Sequence, residues 1–222
     1  MNTLRIIQDD MNCSPRDNDN LGIMVYKHRS YKLGDVSVND PIDWFQESLG
    51  YSVARVKSIA KSLDANYYSE EVSQHLEYIF LKNTVHLPLY FYEHSGITIS
   101  TTPYSCRWDS GKLGFIYTTD ERIRENYMVK KVTKALKLRA LEHLEAEVEE
   151  FRKYVEGEIY RFEILDEDGE VLDTCGGFLG SDMVANGIAD SISQEDFFPN
   201  LTKEEFIEMV KNTEITSYED AY

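Results

Sequence analysis

The sequence predicts an α+β fold: a mixed or antiparallel sheet packed by one long amphipathic helix, with a helical segment at 40–82. Three observations predict it. Leu138, Leu141, Leu144, Val148, Phe151 and Val155 recur every three or four residues between about Val129 and Glu156, the stripe of a long helix lying across a sheet. Short alternating or apolar runs bounded by Gly, Asn, Asp and Ser flank that helix on both sides. With 222 residues, 42% of them hydrophobic and 12% aromatic, the chain can bury a core, and its five Pro and 12 Gly are too few for a low-complexity protein.

In chain order, Leu4 to Gln8 reads as a strand, the polar stretch after it as a loop, and Leu21 to Lys27 as a second strand. Asp40 can cap a helix with Pro41 at its first position. Tyr51 to Leu63 continues as helix, and Ser69 caps another whose Val72, Leu76, Ile79 and Phe80 share one face. Val85 to Tyr92 and Ile97 to Thr101 flank Glu93-His94-Ser95-Gly96, a hairpin turn. Pro88 has no N–H to donate, so its strand must be at an edge or interrupted there. Lys112 to Tyr117 is a further strand, and Thr118 with Glu121 a capping box that starts a short helix through Tyr127.

The long helix follows, with Glu142, Glu145, Glu149, Glu150 and Glu156 off its apolar stripe and Gly157 to end it. Glu158 to Leu165 alternates, with Tyr160, Phe162 and Ile164 expected to face the long helix, and Asp166 to Gly169 turns into Val171 to Thr174. Thr202 with Glu205 is a second capping box, opening a last helix. Residues 213–222 read as a frayed acidic tail, and 1–222 as one α+β domain with a helical insertion at 40–82, since no linker composition, repeat or low-complexity run interrupts it.

Net charge is −17, and its placement is uneven. Residues 1–138 hold 17 basic and 17 acidic side chains; residues 139–222 hold 6 basic and 23 acidic, so the whole excess lies there. Such a surface repels phosphates, which argues against nucleic-acid binding through the C-terminal part, and it favours a basic partner. Three widely spaced cysteines, Cys13, Cys106 and Cys175, argue for a reducing compartment. With no secretory leader pattern and no apolar run of membrane length, the expectation is a protein of the cytoplasm without a membrane partner.

No motif names a cofactor. The five His and three Cys lack zinc-ligand spacing, and the polar runs lack the calcium-loop pattern. Asp9, Asp10, Asp17 and Asp19, with Asp109, could supply oxygen ligands to a hard cation, but Asx-rich turns carry the same residues for geometric reasons. Cys106 and Cys175 lie near turns, and His94 stands at a hairpin tip, so a Cys-His arrangement stays open. Cys175-Gly176-Gly177-Phe178-Leu179-Gly180-Ser181-Asp182 matches neither the Walker nor the dinucleotide pattern and reads as a bulge and turn.

Two blocks carry a resemblance. Pro15-Arg16, Asp19 to Gly22, His28, Tyr31 and Leu33-Gly34-Asp35 form the first, and Leu87 to Tyr117 the second. With the Asp166 to Glu170 turn and Cys175 to Phe178, they make the chain resemble an uncharacterised family of proteins encoded by phages, plasmids and other mobile elements, mostly of Gram-positive bacteria. The resemblance covers most of residues 4–182. It implies a genomic setting and no reaction.

In that setting the expected role is an accessory protein that binds and modulates a host nucleic-acid enzyme or defence system. The acidic C-terminal surface would do so through Glu145, Glu149, Glu150, Asp166, Glu167 and Asp168, facing a basic host protein. The alternative is a small metal-dependent hydrolase or nuclease-like enzyme whose Asp19, His28, His94 and Asp109 converge, with carboxylates as ligands or bases and a histidine as acid–base group. Nothing in the residues sets the oligomeric state.

Overall fold

A computed structural model describes residues 2–10 and 13–217. In order, the elements are β1 (Thr3–Gln8), β2 (Ile23–Tyr26), β3 (Val36–Ser37), α1 (Pro41–Ser48), α2 (Val53–Ser62), α3 (Glu70–Leu81), β4 (Val85–Glu93), β5 (Ile97–Ser100), β6 (Ser110–Thr118), α4 (Asp120–Asn126) and α5 (Lys134–Val155). Then come β7 (Ile159–Leu165), β8 (Val171–Leu179), α6 (Ile188–Ser191), α7 (Gln194–Phe197), α8 (Lys203–Asn212) and β9 (Ile215–Thr216). The class is α+β, with the helical segment where the sequence places it.

The chain divides into two compact units: residues 18–149, and the described residues of 1–17 with those of 150–222. Composition gives no sign of this division. One boundary falls inside α5, and a helix interior has no Pro, Gly or Ser run to mark it.

Residues 18–149 build a five-stranded sheet in the order β3-β2-β6-β4-β5, antiparallel except for β2 with β3. Pro88 sits opposite Phe115 of β6, while β5 reaches only Tyr90 to Glu93 of β4. Its missing donor therefore falls where β4 has one neighbour, just before a register shift at Leu89/Tyr90. Helices α1 to α3 cover Val25 and Phe115 with Phe45, Val56, Val72 and Leu76. Asp40 and Ser69 cap α1 and α3 as expected, and Ser52, which the expected helix from Tyr51 enclosed, caps α2 instead; each side chain accepts a first-turn N–H.

The cap of α4 is Thr119, whose Oγ1 accepts from Arg122, one residue later than the expected Thr118. Thr118 is still paired with Val85 in the sheet and is buried, so it is not available. Helix α5 starts at Lys134, not near Val129, because Met128 adopts φ +51° and ends α4. There Met128 N–H donates to Glu125 O and Val129 N–H to Arg124 O, the paired bonds of a Schellman ending. Thr133 Oγ1 then accepts from Leu136 N–H to open α5.

Along α5 the buried side chains are Ala140, Leu144, Glu147, Val148 and Phe151, while Leu138 is exposed. Leu144 packs on the five-stranded sheet: a Cβ on Gly22 would lie 2.5 Å from Leu144 Cδ2 and 2.6 Å from Ile116 Cδ1. The expectation that the helix covers Tyr160, Phe162 and Ile164 is corrected here. Those three side chains instead join Leu4 and Ile6 under Met183, Ile188, Ile192, Phe198, Phe206 and Val210.

That second core belongs to the other unit, whose sheet runs β8-β7-β1-β9. On the opposite face of β1 and β7, buried Glu163 is held by Arg5 at 2.6 Å and Arg161 at 3.2 Å. Gly176 and Gly177 stand together opposite Arg161 as a bulge, with Gly177 at φ +86°. The Thr202/Glu205 capping box forms as expected and holds the Glu205 carboxyl below its ordinary range, since it accepts the Thr202 N–H. The expected frayed tail is corrected in part: Ile215 and Thr216 pair with Ile6 and Ile7 of β1, because apolar Ile215 can extend that sheet by a parallel rung. Residues 218–222 lie outside the described residues.

Glu147 is the buried carboxylate of the 18–149 unit. It accepts the N–H of Leu21 at 2.6 Å and of Gly22 at 3.1 Å, and His143 Nε2 lies 3.6 Å away. Arg122 donates to the carbonyls of the same turn, Leu21 O at 3.1 Å and Asn20 O at 2.6 Å. Glu147→Ala leaves two buried amides without an acceptor, and should lower the unfolding free energy in urea by about 3 kcal/mol. Glu145→Ala, at an exposed position two residues earlier on the other side of α5, should change it by less than about 0.5 kcal/mol. Gly22→Ala should cost about 2 kcal/mol by overpacking against Leu144 and Ile116.

Candidate functional site

The polar cleft with the most convergent chemistry lies at one end of the five-stranded sheet. Lys27, His28 and Arg29 follow β2, Phe91 and Glu93 end β4, and Trp108, Asp109 and Ser110 open β6. Strand register brings these segments together: Tyr92 faces Ser110, and Glu93 N–H donates to Asp109 O at 2.7 Å.

His28 is the rigid member. Its side chain is buried, its Nδ1 accepts the N–H of Ser30 at 3.2 Å and of Tyr31 at 3.1 Å, and Phe91 meets the ring edge-on at 5.1 Å. The ring proton is therefore on Nε2, which faces Glu93 Oε2 at 3.7 Å. His94 is exposed on the hairpin turn next to Ser95, whose φ is +55°. Its Nδ1 lies 3.6 Å from Asp109 Oδ2, and Cys106 Sγ lies 3.5 Å from the same oxygen.

Of the four residues proposed for an enzyme site, three thus sit in or beside one cleft: His28, His94 and Asp109. Asp19 does not join them; it lines a separate cleft with Asn20, Leu21, Arg122, Glu125 and Asn126. The Asn20 to Gly22 turn beside it is held by Glu147 and Arg122, which accounts for this segment structurally. Around Asp109 the carboxylate stands between thiol and imidazole. A nucleophilic triad needs the imidazole in the middle, so this order does not make His94 the base of Cys106. Among the described residues no three His, Cys, Asp or Glu side chains gather as metal ligands, Asp9 and Asp17 being engaged by Gly177 and Ser14 N–H groups.

The six acidic residues proposed for partner binding fall on both units. Glu145 and Glu149 are exposed on the part of α5 within residues 18–149, and Glu150 is exposed just past the boundary. In the β7–β8 turn Glu167 and Asp168 are exposed, but Asp166 Oδ1 accepts the N–H of Asp168 and of Glu170 and shapes the turn. Asp166 is thus a turn-forming residue before it is anything else.

Against protein-family models, curated proteins and solved structures alike, the chain finds no match. Among the described residues no helix is long and apolar enough to cross a membrane. Sequence reading did not single out Glu93 or Glu147. Glu93 was legible only as a hairpin-turn residue, since its approach to His28 depends on the β2–β6–β4 pairing. Replacing His28 by Leu removes the acceptor of two backbone amides and should lower stability by about 1.5 kcal/mol in urea unfolding. His28→Asn, which keeps an acceptor at that place, should cost less than half as much.

Proposed function

We propose that the chain is an accessory protein of a phage or other mobile element that binds and modulates a host nucleic-acid enzyme or defence system. Its acidic C-terminal part meets Lys and Arg of that enzyme, in the cytoplasm of a bacterial host. The observation that carries this reading is the partition of charge between the two units. Residues 1–17 and 150–222 contain 7 basic and 22 acidic side chains, whereas residues 18–149 contain 16 and 18. Three of those seven cations, Arg5, Arg161 and Arg152, are turned onto Glu163 or Glu156, which leaves the surface carboxylates in large excess. A surface of that sign raises association rates with a basic groove and repels the nucleic acid that the groove otherwise holds.

Affinity capture from a bacterial host lysate, with the captured enzyme then purified and titrated, tests this. A Lys- and Arg-rich nucleic-acid enzyme is expected, bound about tenfold more weakly when salt rises from about 0.1 M to 1 M and the Debye length falls from about 10 Å to 3 Å. The variants Glu145→Lys/Glu149→Lys and Asp168→Lys/Glu170→Lys, made separately because they lie on different units, should slow association with little change in melting temperature. Recovery of no basic partner, or binding indifferent to salt and to both reversals, contradicts the reading.

A second reading has one observation in its favour: the His28–Glu93 and His94–Asp109 pairs at one cleft. Its chemistry is acid–base hydrolysis by His94 with Asp109, whose Nδ1 and Oδ2 lie 3.6 Å apart. Phosphodiester or ester cleavage abolished by His94→Gln and Asp109→Asn, with the fold retained, would support it; no turnover of either class would end it.

A further inference from the structure

One stretch of this acidic protein is strongly basic. Between Asn126 and Leu141 there are five Lys or Arg and no Asp or Glu. Lys130, Lys131 and Lys134 are exposed and make no ion pair among the described residues. They stand before and at the start of α5, where the helix dipole disfavours cations, so helix stability does not explain them. Lys137 to Asp120 at 2.7 Å and Arg139 over the Tyr127 ring tie the start of α5 to α4.

Two apolar side chains lie among these cations. Met128 is 92% exposed and Leu138 62%. Met128 also holds the left-handed position of a Schellman ending, which glycine favours. The equivalent position after α5 is Gly157, with the same pair of bonds, from Gly157 N–H to Tyr154 O and Glu158 N–H to Lys153 O. Methionine at this place strains the backbone and presents an apolar side chain to water, a breach of local preference on two counts with no gain inside the unit.

A surface of complementary character lies on the other unit. At the β7–β8 hairpin Val171 is 50% exposed and Leu172 49%, where a register shift at Ile164/Leu165 breaks the alternation of β8. Asp168, Glu170 and Asp173 surround this apolar pair, with no Lys or Arg from Asp166 to Leu179. Strand β8 is an edge of its sheet.

We propose that the chain associates with a second copy of itself, the basic apolar stretch around Met128 and Leu138 in one copy seating on the acidic apolar end of the β7–β8 hairpin in another. Apolar pair meets apolar pair, and the charged rims are of opposite sign. Pairing of β8 with β8 would set carboxylates against carboxylates and is disfavoured. Nucleic-acid phosphates could take the lysines but offer nothing to Met128 and Leu138. The inference shares the acidic hairpin with the proposed function but needs no host enzyme. A basic host partner would compete with self-association.

Sedimentation equilibrium of the purified full chain, from about 1 to 500 μM, tests it at salt of about 0.1 M and about 1 M. Association beyond the monomer is expected at low salt and at least about tenfold weaker association at high salt. Lys130→Glu/Lys131→Glu/Lys134→Glu and Asp168→Lys/Glu170→Lys/Asp173→Lys should each be monomeric. Their equimolar mixture should re-form a complex, because the first keeps a native acidic hairpin and the second a native basic stretch. Met128→Gly gives a readout that folding cannot mimic: it should raise the melting midpoint while weakening association. A monomer at every concentration and salt overturns the inference, whether or not the lysine stretch then retains duplex DNA. So does association unaffected by both reversals, or a mixture that stays monomeric. Failure of the host-capture experiment leaves it standing.

Discussion

A single buried carboxylate organises the 18–149 unit. Glu147 reaches from α5 to the amides of Leu21 and Gly22, and Arg122 reaches from α4 to the carbonyls of Asn20 and Leu21. The turn therefore has donors and acceptors satisfied by side chains from two helices, and β2 begins directly after it. Burying an ionised carboxylate is costly unless its oxygens are bonded, and two amides with His143 nearby supply that bonding. Gly22 completes the arrangement by leaving room for Leu144 and Ile116. Because β2 pairs with β6, and β6 with β4, the placement of this turn propagates to the end of the sheet where His28, Glu93 and Asp109 meet.

Charge is distributed on a different principle. Inside each unit the carboxyl groups that are buried, Glu147 and Glu163, are matched to donors and serve the fold. At the surface charge is segregated: one unit carries a net −15, and the other carries exposed glutamates along α5 and, before and at the start of that helix, Lys130, Lys131 and Lys134, which make no ion pair among the described residues. Exposed charges add little to stability, so such segregation points to association. Both inferences about partners draw on this, one looking outward to a basic host protein and the other to a second copy.

The sequence was most legible where structure is local. Asp40, Ser69 and Thr202 cap helices because a short oxygen-bearing side chain can reach an amide two or three residues on, whatever surrounds it. It was least legible where a partner is distant. The stripe on α5 tells which face is buried but not which sheet it meets, and Tyr160, Phe162 and Ile164 were claimed by helices that follow them in the chain. The cap at Thr118 and the start of the long helix near Val129 were misplaced because strand pairing and a left-handed methionine override propensity. His28, His94 and Asp109 were visible as polar residues in turns, whereas their distances depend on register. Glu147 did leave a signal: it stands three residues after Leu144 and four before Phe151, at the spacing of the buried stripe, so a carboxylate there must find donors.

Amide hydrogen exchange at Leu21 and Gly22 tests the role of Glu147 most directly. If the carboxylate holds the turn, both amides exchange as slowly as those of β6 beside them, opening only when the 18–149 unit unfolds. Exchange of Leu21 and Gly22 at the rate of an exposed loop, with the β6 amides still protected, would contradict it.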